Sequence, residues 1–296
     1  MNEEQDNSSG EFALLRLAPE VLRARDFRLY TRGGRRLVDL WLNGGAAVLG
    51  HTPHLLLREL KNAASRGLYA PFPHFLEGRF IKALSRLFPG RTFRFYASAP
   101  AALEALLKKG EAGLWRPFLD PGMPLAAAAD APPVLIPVLP GIQGWRGGLP
   151  QGLCALAVDS ANPIRENTSP ENTIIPDAAS LPAGDFLSPV LLAVAARGVY
   201  DLIAAAPERG NLSLPRVTKA LNDRNSPWQR RGIYLGLRED CGLRAETGPE
   251  VWAILFRRFL DAGFLLPPIP EHPPILPGVL SPGEEAKLAE VLQFRP

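Results

Sequence analysis

The sequence predicts an α/β protein: a core of strands alternating with helices, plus a smaller α+β domain assembled from both ends of the chain. Three observations carry this. Apolar runs of strand length at 92–96, 134–139 and 153–158 are separated by segments with helical spacing. Smaller strand and helix patterns recur towards both ends, around 27–41 and 232–292. The 31 prolines fall mostly between periodic segments, where they punctuate elements and form no low-complexity tail.

Taken in order, residues 1–11 are acidic and polar and read as a disordered arm. Residues 12–24 have the spacing of an amphipathic helix broken near Pro19. Two short alternating runs, 27–30 and 37–41, flank Gly33 and Gly34 and predict a β-hairpin. Thr52-Pro53 opens the next helix, with the hydroxyl as its cap. Phe80, Ile81, Leu84, Leu87 and Phe88 mark a helix over 74–88 that Pro89-Gly90 ends. A strand at 92–96 then turns through Ala97-Ser98-Ala99-Pro100 into a helix reaching Lys109. Residues 110–133 carry no clear pattern, and the strands at 134–139 and 153–158 follow. A long apolar helix begins at Ser188-Pro189 and a short one covers 216–221. A strand at 232–237, pairing with 242–245, precedes an amphipathic helix at 249–262 and a strand at 264–266. Ser281-Pro282-Gly283-Glu284 has the spacing of a capping box and opens the last helix.

Composition narrows the function classes. The net charge of +3 is scattered, which argues against a nucleic-acid surface. The two cysteines, Cys154 and Cys241, make no C-x-x-C spacing and no disulfide framework, which fits a reducing, cytoplasmic setting. The N-terminus has no apolar core of a secretory signal. The longest apolar run, 189–206, is interrupted by Arg197 and Asp201 and reads as a buried core helix, so no membrane partner is expected.

Few residues suggest chemistry directly. His51 and His54 are three apart, but no further ligand accompanies them, so capping or packing is expected and no metal. The turn at 97–100 sits where a helix N-terminus can hold an anion, although Pro100 removes a donor. Asp159 ends a strand, a common ligand position in α/β sheets and equally a common turn or cap residue.

Residues 27–54, with Gly34 in the hairpin turn, Asp39 in the next strand, Gly50-His51 and then Pro53, resemble the N-terminal segment of class III aminotransferases, the glutamate-1-semialdehyde aminomutase group in particular. The run FRRFLDAGFLLPP and the helix opened at Ser281 resemble that family's last segment. The resemblance implies the type I fold of pyridoxal-phosphate proteins. It divides the chain into a small domain from 12–75 and 211–296 and a trimmed cofactor-type domain over 76–210. It also implies the family's parts: a lysine that links to the cofactor, an aspartate on its ring nitrogen, and a turn at a helix N-terminus that holds its phosphate. Of the phosphate turn, Ser98 and the closing alanine remain. Asp159 matches the ring aspartate, and the lysine position, shortly after Pro176-Asp177 and Leu181, falls on Ala183. The resemblance therefore implies a degenerate member: no catalytic residue, no resident pyridoxal phosphate, and Ser98 and Asp159 as remnants of the cofactor site. Its role would be association, as a homodimer or with an active relative. An active enzyme using Lys219, or a small-ligand module in the remnant cleft, are the alternatives.

Overall fold

A computed structural model describes residues 13–109, 112–119, 134–136, 145–146, 149–150, 152–159, 181–224, 226–238 and 249–295 of the 296-residue chain. The strands are β1 (Val21–Arg25), β2 (Arg28–Thr31), β3 (Arg36–Asp39), β4 (Arg91–Tyr96), β5 (Gly113–Leu114), β6 (Val134–Ile136), β7 (Trp145–Arg146), β8 (Leu149–Pro150), β9 (Cys154–Asp159), β10 (Trp228–Arg231), β11 (Tyr234–Leu237) and β12 (Phe264–Leu265). The helices are α1 (His54–Ala64), α2 (Leu76–Leu87), α3 (Ala101–Lys108), α4 (Pro189–Gly210), α5 (Pro215–Leu221), α6 (Pro249–Ala262) and α7 (Pro282–Val291).

One sheet joins the two ends of the chain in the order β1-β2-β3-β12. The expected hairpin is present, with Arg28 opposite Val38 and Tyr30 opposite Arg36. Of its two turn glycines, Gly34 takes the positive φ, 74°, that a side chain would resist. The helix expected over 12–24 is not formed. A 3-10 turn at Ala13–Leu17 gives way to β1, which pairs antiparallel with β2. The piece left before Pro19 is too short to propagate a helix, whereas β1 finds a ready edge for its backbone groups. β12 docks parallel to β3, from more than 200 residues away in sequence.

Helices α5, α6 and α7 cover this sheet. The buried face of α6 is Trp252, Leu255, Phe256, Phe259 and Leu260, at the spacing that the sequence shows. Trp228 of β10 packs edge-on against Phe259, with ring centroids 5.5 Å apart. The strand expected at 232–237 is β11, but its described partner is β10. Residues 242–245, the expected partner, lie outside the described residues.

A second core forms around α4, which packs against α1 and α2. Ser188 caps α4 by accepting from the Leu191 N–H. The helix is long and apolar enough to cross a bilayer, yet Leu192, Ala193, Val194, Ala195 and Ala196 are all buried within the protein. Because α1 packs here, the small-domain boundary expected at residue 75 falls inside this core. Thr52 does not cap α1; Pro53 stands at the cap position without a side-chain hydrogen bond.

The mixed sheet of this part runs β4-β9-β6-β5. Strand β9 lies antiparallel between β4 and β6, and β5 pairs parallel with β6. Both faces of β9 are buried. Cys154, Leu156 and Val158 pack on the side of Leu103 from α3, while Ala155 and Ala157 face the α4 core. That double burial explains why the segment reads as continuous apolar sequence and not as an alternation. Strands β7 and β8 form a separate antiparallel pair on either side of residues 147–148, which the sequence reading had not separated from its neighbours.

Glu284 locks α7 to the first sheet. Its carboxylate accepts from Arg28 Nε at 2.9 Å and Nη2 at 2.6 Å, lies 3.2 Å from Arg36, and closes the expected capping box with Ser281. Burial opposes its ionisation, but the Arg28 and Ser281 hydrogen bonds outweigh that and hold its pKa at about 2, against an ordinary 4.5. A depressed carboxylate pKa contributes stability above 4.5 that is lost as pH falls towards 2. Glu284→Gln is therefore expected to flatten the fall in unfolding free energy across that window, measured by urea denaturation at stepped pH. A mutant curve parallel to wild type would contradict this.

Candidate functional site

The residues that the sequence singles out do not converge. Arg91 of β4 stands opposite Asp159, and Tyr96 stands opposite Cys154. Ser98 follows Tyr96, so Ser98 and Asp159 lie at opposite ends of the strand pair. Five residue steps of strand separate those ends, about 16 Å. The expected remnant cleft between them is not assembled, because β9 runs antiparallel to β4. Ser98 itself is exposed.

Ala183 lies near the Ser98 end. Residues 181–185 run extended along the free edge of β4. The Asp185 N–H donates to Phe95 O at 2.7 Å, and the Asp185 carboxylate accepts from the Ala97 N–H at 2.8 Å. Tyr96 Oη donates to Pro182 O at 2.8 Å, and Arg94 Nη1 donates to the carbonyls of Leu181 and Pro182. Gly184 sits so close to β4 that a Cβ would stand 3.3 Å from Phe95 O. The segment thus closes a sheet edge with its backbone, and Ala183 is exposed on it. Residues 176–180, the first half of the Pro-Asp stretch, lie outside the described residues.

The chain has six lysines: Lys61, Lys82, Lys108, Lys109, Lys219 and Lys287. All six are exposed, on or at the end of helices. Lys219 is in the last turn of α5, away from the buried Val217, Ala220 and Leu221. No lysine borders a described cavity. A lysine that forms a covalent link needs a desolvated, enclosed amine, which lowers its pKa and frees the lone pair. None has that setting. The residues present therefore do not fit pyridoxal phosphate.

Two other groups of polar residues are well built. Asp39, nearly fully buried, accepts from the backbone N–H groups of Trp41 and Leu42 at 2.8 and 2.9 Å and bonds His51 Nε2 at 2.9 Å. The His51 N–H donates to Asp26 O at 2.7 Å. His51 is thus a hydrogen-bonding partner of Asp39, and among the described residues no group of three or more His, Cys, Asp or Glu could hold a metal ion. The second group surrounds the β10–β11 hairpin and was missed in sequence. Arg209, at the end of α4, is buried, lies over the Phe27 ring at 5.4 Å, and donates to Leu276 O at 3.0 Å. Its Nε and Nη1 have no hydrogen-bond partner, nor has the buried Tyr234 hydroxyl. Arg116 lies over the Tyr234 ring at 5.8 Å. Arg230 donates to the carbonyls of Gly232 and Leu212. Burial lowers the pKa of all three arginines, Arg209 to about 10, and raises that of Tyr234. The sequence signal was available only in Arg116, a single cation between Trp115 and Pro117-Phe118. Only tertiary contact shows that it and Arg209 meet.

Searched against family models, the chain matches none. It is 29% identical to an uncharacterized protein of Treponema pallidum (strain Nichols), over 89% of this chain and 91% of that one. A 70-residue stretch is 41% identical to an uncharacterized protein of Borreliella burgdorferi, covering 24% of this chain and 26% of that one. Among solved structures it is similar to an omega-transaminase from Sphaerobacter thermophilus, with TM-score 0.60 and 12% identity over 99% of this chain and 98% of that chain. It is similar to a glutamate-1-semialdehyde aminomutase from Pseudomonas aeruginosa PAO1, with TM-score 0.59 and 14% identity over 93% and 86%. It is likewise similar to ornithine δ-aminotransferase of Plasmodium falciparum, with TM-score 0.58 and 11% identity over 93% and 92%. The structural similarity to class III aminotransferases expected from the two ends of the chain is thus found across nearly all of it, in an α/β fold with mixed sheets.

Removing the Asp39 carboxylate strips an acceptor from two backbone N–H groups and from His51. Asp39→Ala is expected to lower the unfolding free energy by about 2–4 kcal/mol, and Asp39→Asn, which keeps one acceptor oxygen, by less. Urea denaturation of the two variants measures this, and an Asp39→Ala protein as stable as wild type would contradict it.

Proposed function

From the aminotransferase fold as premise, we propose that this protein has no transaminase activity and works by association, with a second copy of itself or with an active relative. One observation carries the first half: every lysine of the chain lies exposed, on or at the end of a helix. Transamination in this fold needs an amine held next to the cofactor ring, and exposed, fully hydrated ammonium groups do not supply one. The separation of Ser98 from Asp159 adds to this, since phosphate and ring-nitrogen contacts must lie within the length of one cofactor. The exposure of Lys219 weighs against the alternative of a displaced lysine.

The second half rests on the surface. Tyr69, Phe72, Phe75 and Phe186 are 67%, 51%, 71% and 72% exposed. The first three lie in the connection between α1 and α2. The Val190 N–H donates to Leu68 O at 3.3 Å, which brings that connection against the start of α4, just after Phe186. Four large exposed aromatic side chains on two adjoining segments are the kind of surface that marks protein–protein contact. A second chain placed on this face would remove them from water.

Two outcomes are expected. Purified protein mixed with pyridoxal phosphate and reduced with borohydride gains no stoichiometric cofactor mass on any single lysine, and its visible spectrum matches free cofactor. A stoichiometric adduct that one lysine substitution abolishes would overturn the first half. Sedimentation velocity is expected to show a dimer at micromolar concentration that becomes monomeric in Phe72→Ser/Phe186→Ser. Wild type that sediments as a monomer, alone and with its relatives, would overturn the second half.

A further inference from the structure

A cavity of about 460 Å³ lies between the β10–β11 hairpin and the segment after β5. Arg116, Arg230 and Arg231 border it, with Gln229, Tyr234 and Leu235, and none of the described residues that line it is an aspartate or glutamate. We propose that this cavity binds a small molecule through an oxyanion, a phosphate or carboxylate, seated on Arg116 and Arg230. The rest of the ligand lies against the Tyr234 ring and Leu235. The site is separate from Ser98, Asp159 and Ala183, and it does not depend on the association described above.

The argument begins with unused donors. A guanidinium carries five N–H donors. That of Arg116 is largely buried and stacks over Tyr234, and among the described residues no acceptor or carboxylate pairs with it. Arg230 is fixed by two neutral carbonyls, Gly232 O at 2.6 Å and Leu212 O at 2.8 Å. Those bonds orient its guanidinium and leave its charge uncancelled. Arg209 adds a third cation behind Tyr234; the neighbouring Glu208 acts on it only through space, without an ion pair. Among the described residues none of the three arginines forms an ion pair, and cations buried in this way destabilise the folded state unless an anion joins them. A planar fork of N–H groups suits the two oxygens of a carboxylate or phosphate. Glu271 borders an adjoining cavity of about 420 Å³ that shares Arg116, but it is exposed and forms no ion pair with it.

The cavity is also held in shape. The Ile233 N–H donates to Phe118 O at 3.2 Å and ties the hairpin to the segment carrying Arg116. Gly232, at φ +58°, sits so close that a Cβ would be 1.9 Å from Phe118 O. A wall fixed in this way loses little freedom when a ligand arrives. The volume suits a small metabolite and exceeds a lone ion, and the Tyr234 and Leu235 surfaces give its uncharged part an apolar seat.

Isothermal titration calorimetry of the full chain with inorganic phosphate and with succinate, at ionic strength fixed by chloride, tests this. One probe is expected to bind with unit stoichiometry, and whichever binds tighter identifies the oxyanion. Arg116→Gln is expected to weaken binding at least about tenfold. Arg116 makes no hydrogen bond that the fold needs, so this variant retains its structure even if Arg230→Gln does not. Arg66→Gln, on the surface after α1, is expected to bind as wild type. Binding of neither probe, undiminished binding by Arg116→Gln, or an equal loss in Arg66→Gln would each overturn the proposal.

Discussion

The main chain of residues 38–40 is the constraint on which the smaller core depends. The Val38 N–H donates to Gly263 O, the Asp39 N–H to Phe27 O, and the Leu40 N–H to Leu265 O, each at 2.9 Å. Leu40 O in turn accepts from the Ile275 N–H at 2.6 Å. The Asp39 side chain then satisfies the two N–H groups that follow and holds His51. Three successive residues thus join four separate stretches of chain. These groups are buried or partly buried, so an unmade bond would leave a donor or acceptor at least partly desolvated. The proline-rich segment after β12 is part of the same arrangement, because the Leu235 N–H donates to Pro274 O and the Leu276 N–H to Ile233 O. Prolines there remove donors that no strand would have paired, and leave the carbonyls free to accept.

Cations divide sharply between surface and interior. Lysines stay outside, while Arg116, Arg209 and Arg230 sit among core segments. A guanidinium is more weakly hydrated than an ammonium and keeps its charge when buried, so it tolerates the interior and offers directed N–H groups there. It is also a poor nucleophile. Directed N–H groups of this kind suit charge recognition better than covalent chemistry.

Much of this was legible in the sequence because it rests on local signals. The capping box at Ser281, the hairpin around Gly34 and the apolar stripes of α2 and α6 depend on residues within a few positions of one another. What was missed depends on distant partners. Residues 21–25 became a strand because β2 offered an edge. The proposed cofactor remnants failed to meet for the same reason. Ser98 and Asp159 each end a strand, but only the antiparallel register of β4 and β9 decides that those ends are opposite ones. Arg116 and Arg209 gave no periodic signal because a buried cation is single by nature, and the residues around it come from segments far apart in sequence.

The parallel pairing of β3 with β12 sets a clock on biosynthesis. Val38 and Asp39 leave the ribosome some 225 residues before Phe264 and Leu265, their partners in the sheet. At ordinary elongation rates that interval is roughly 10–45 s. Throughout it the hairpin has one edge unpaired, with Leu37 and Val38 uncovered. Nascent chains of this protein therefore carry an unpaired strand edge through the whole of that interval.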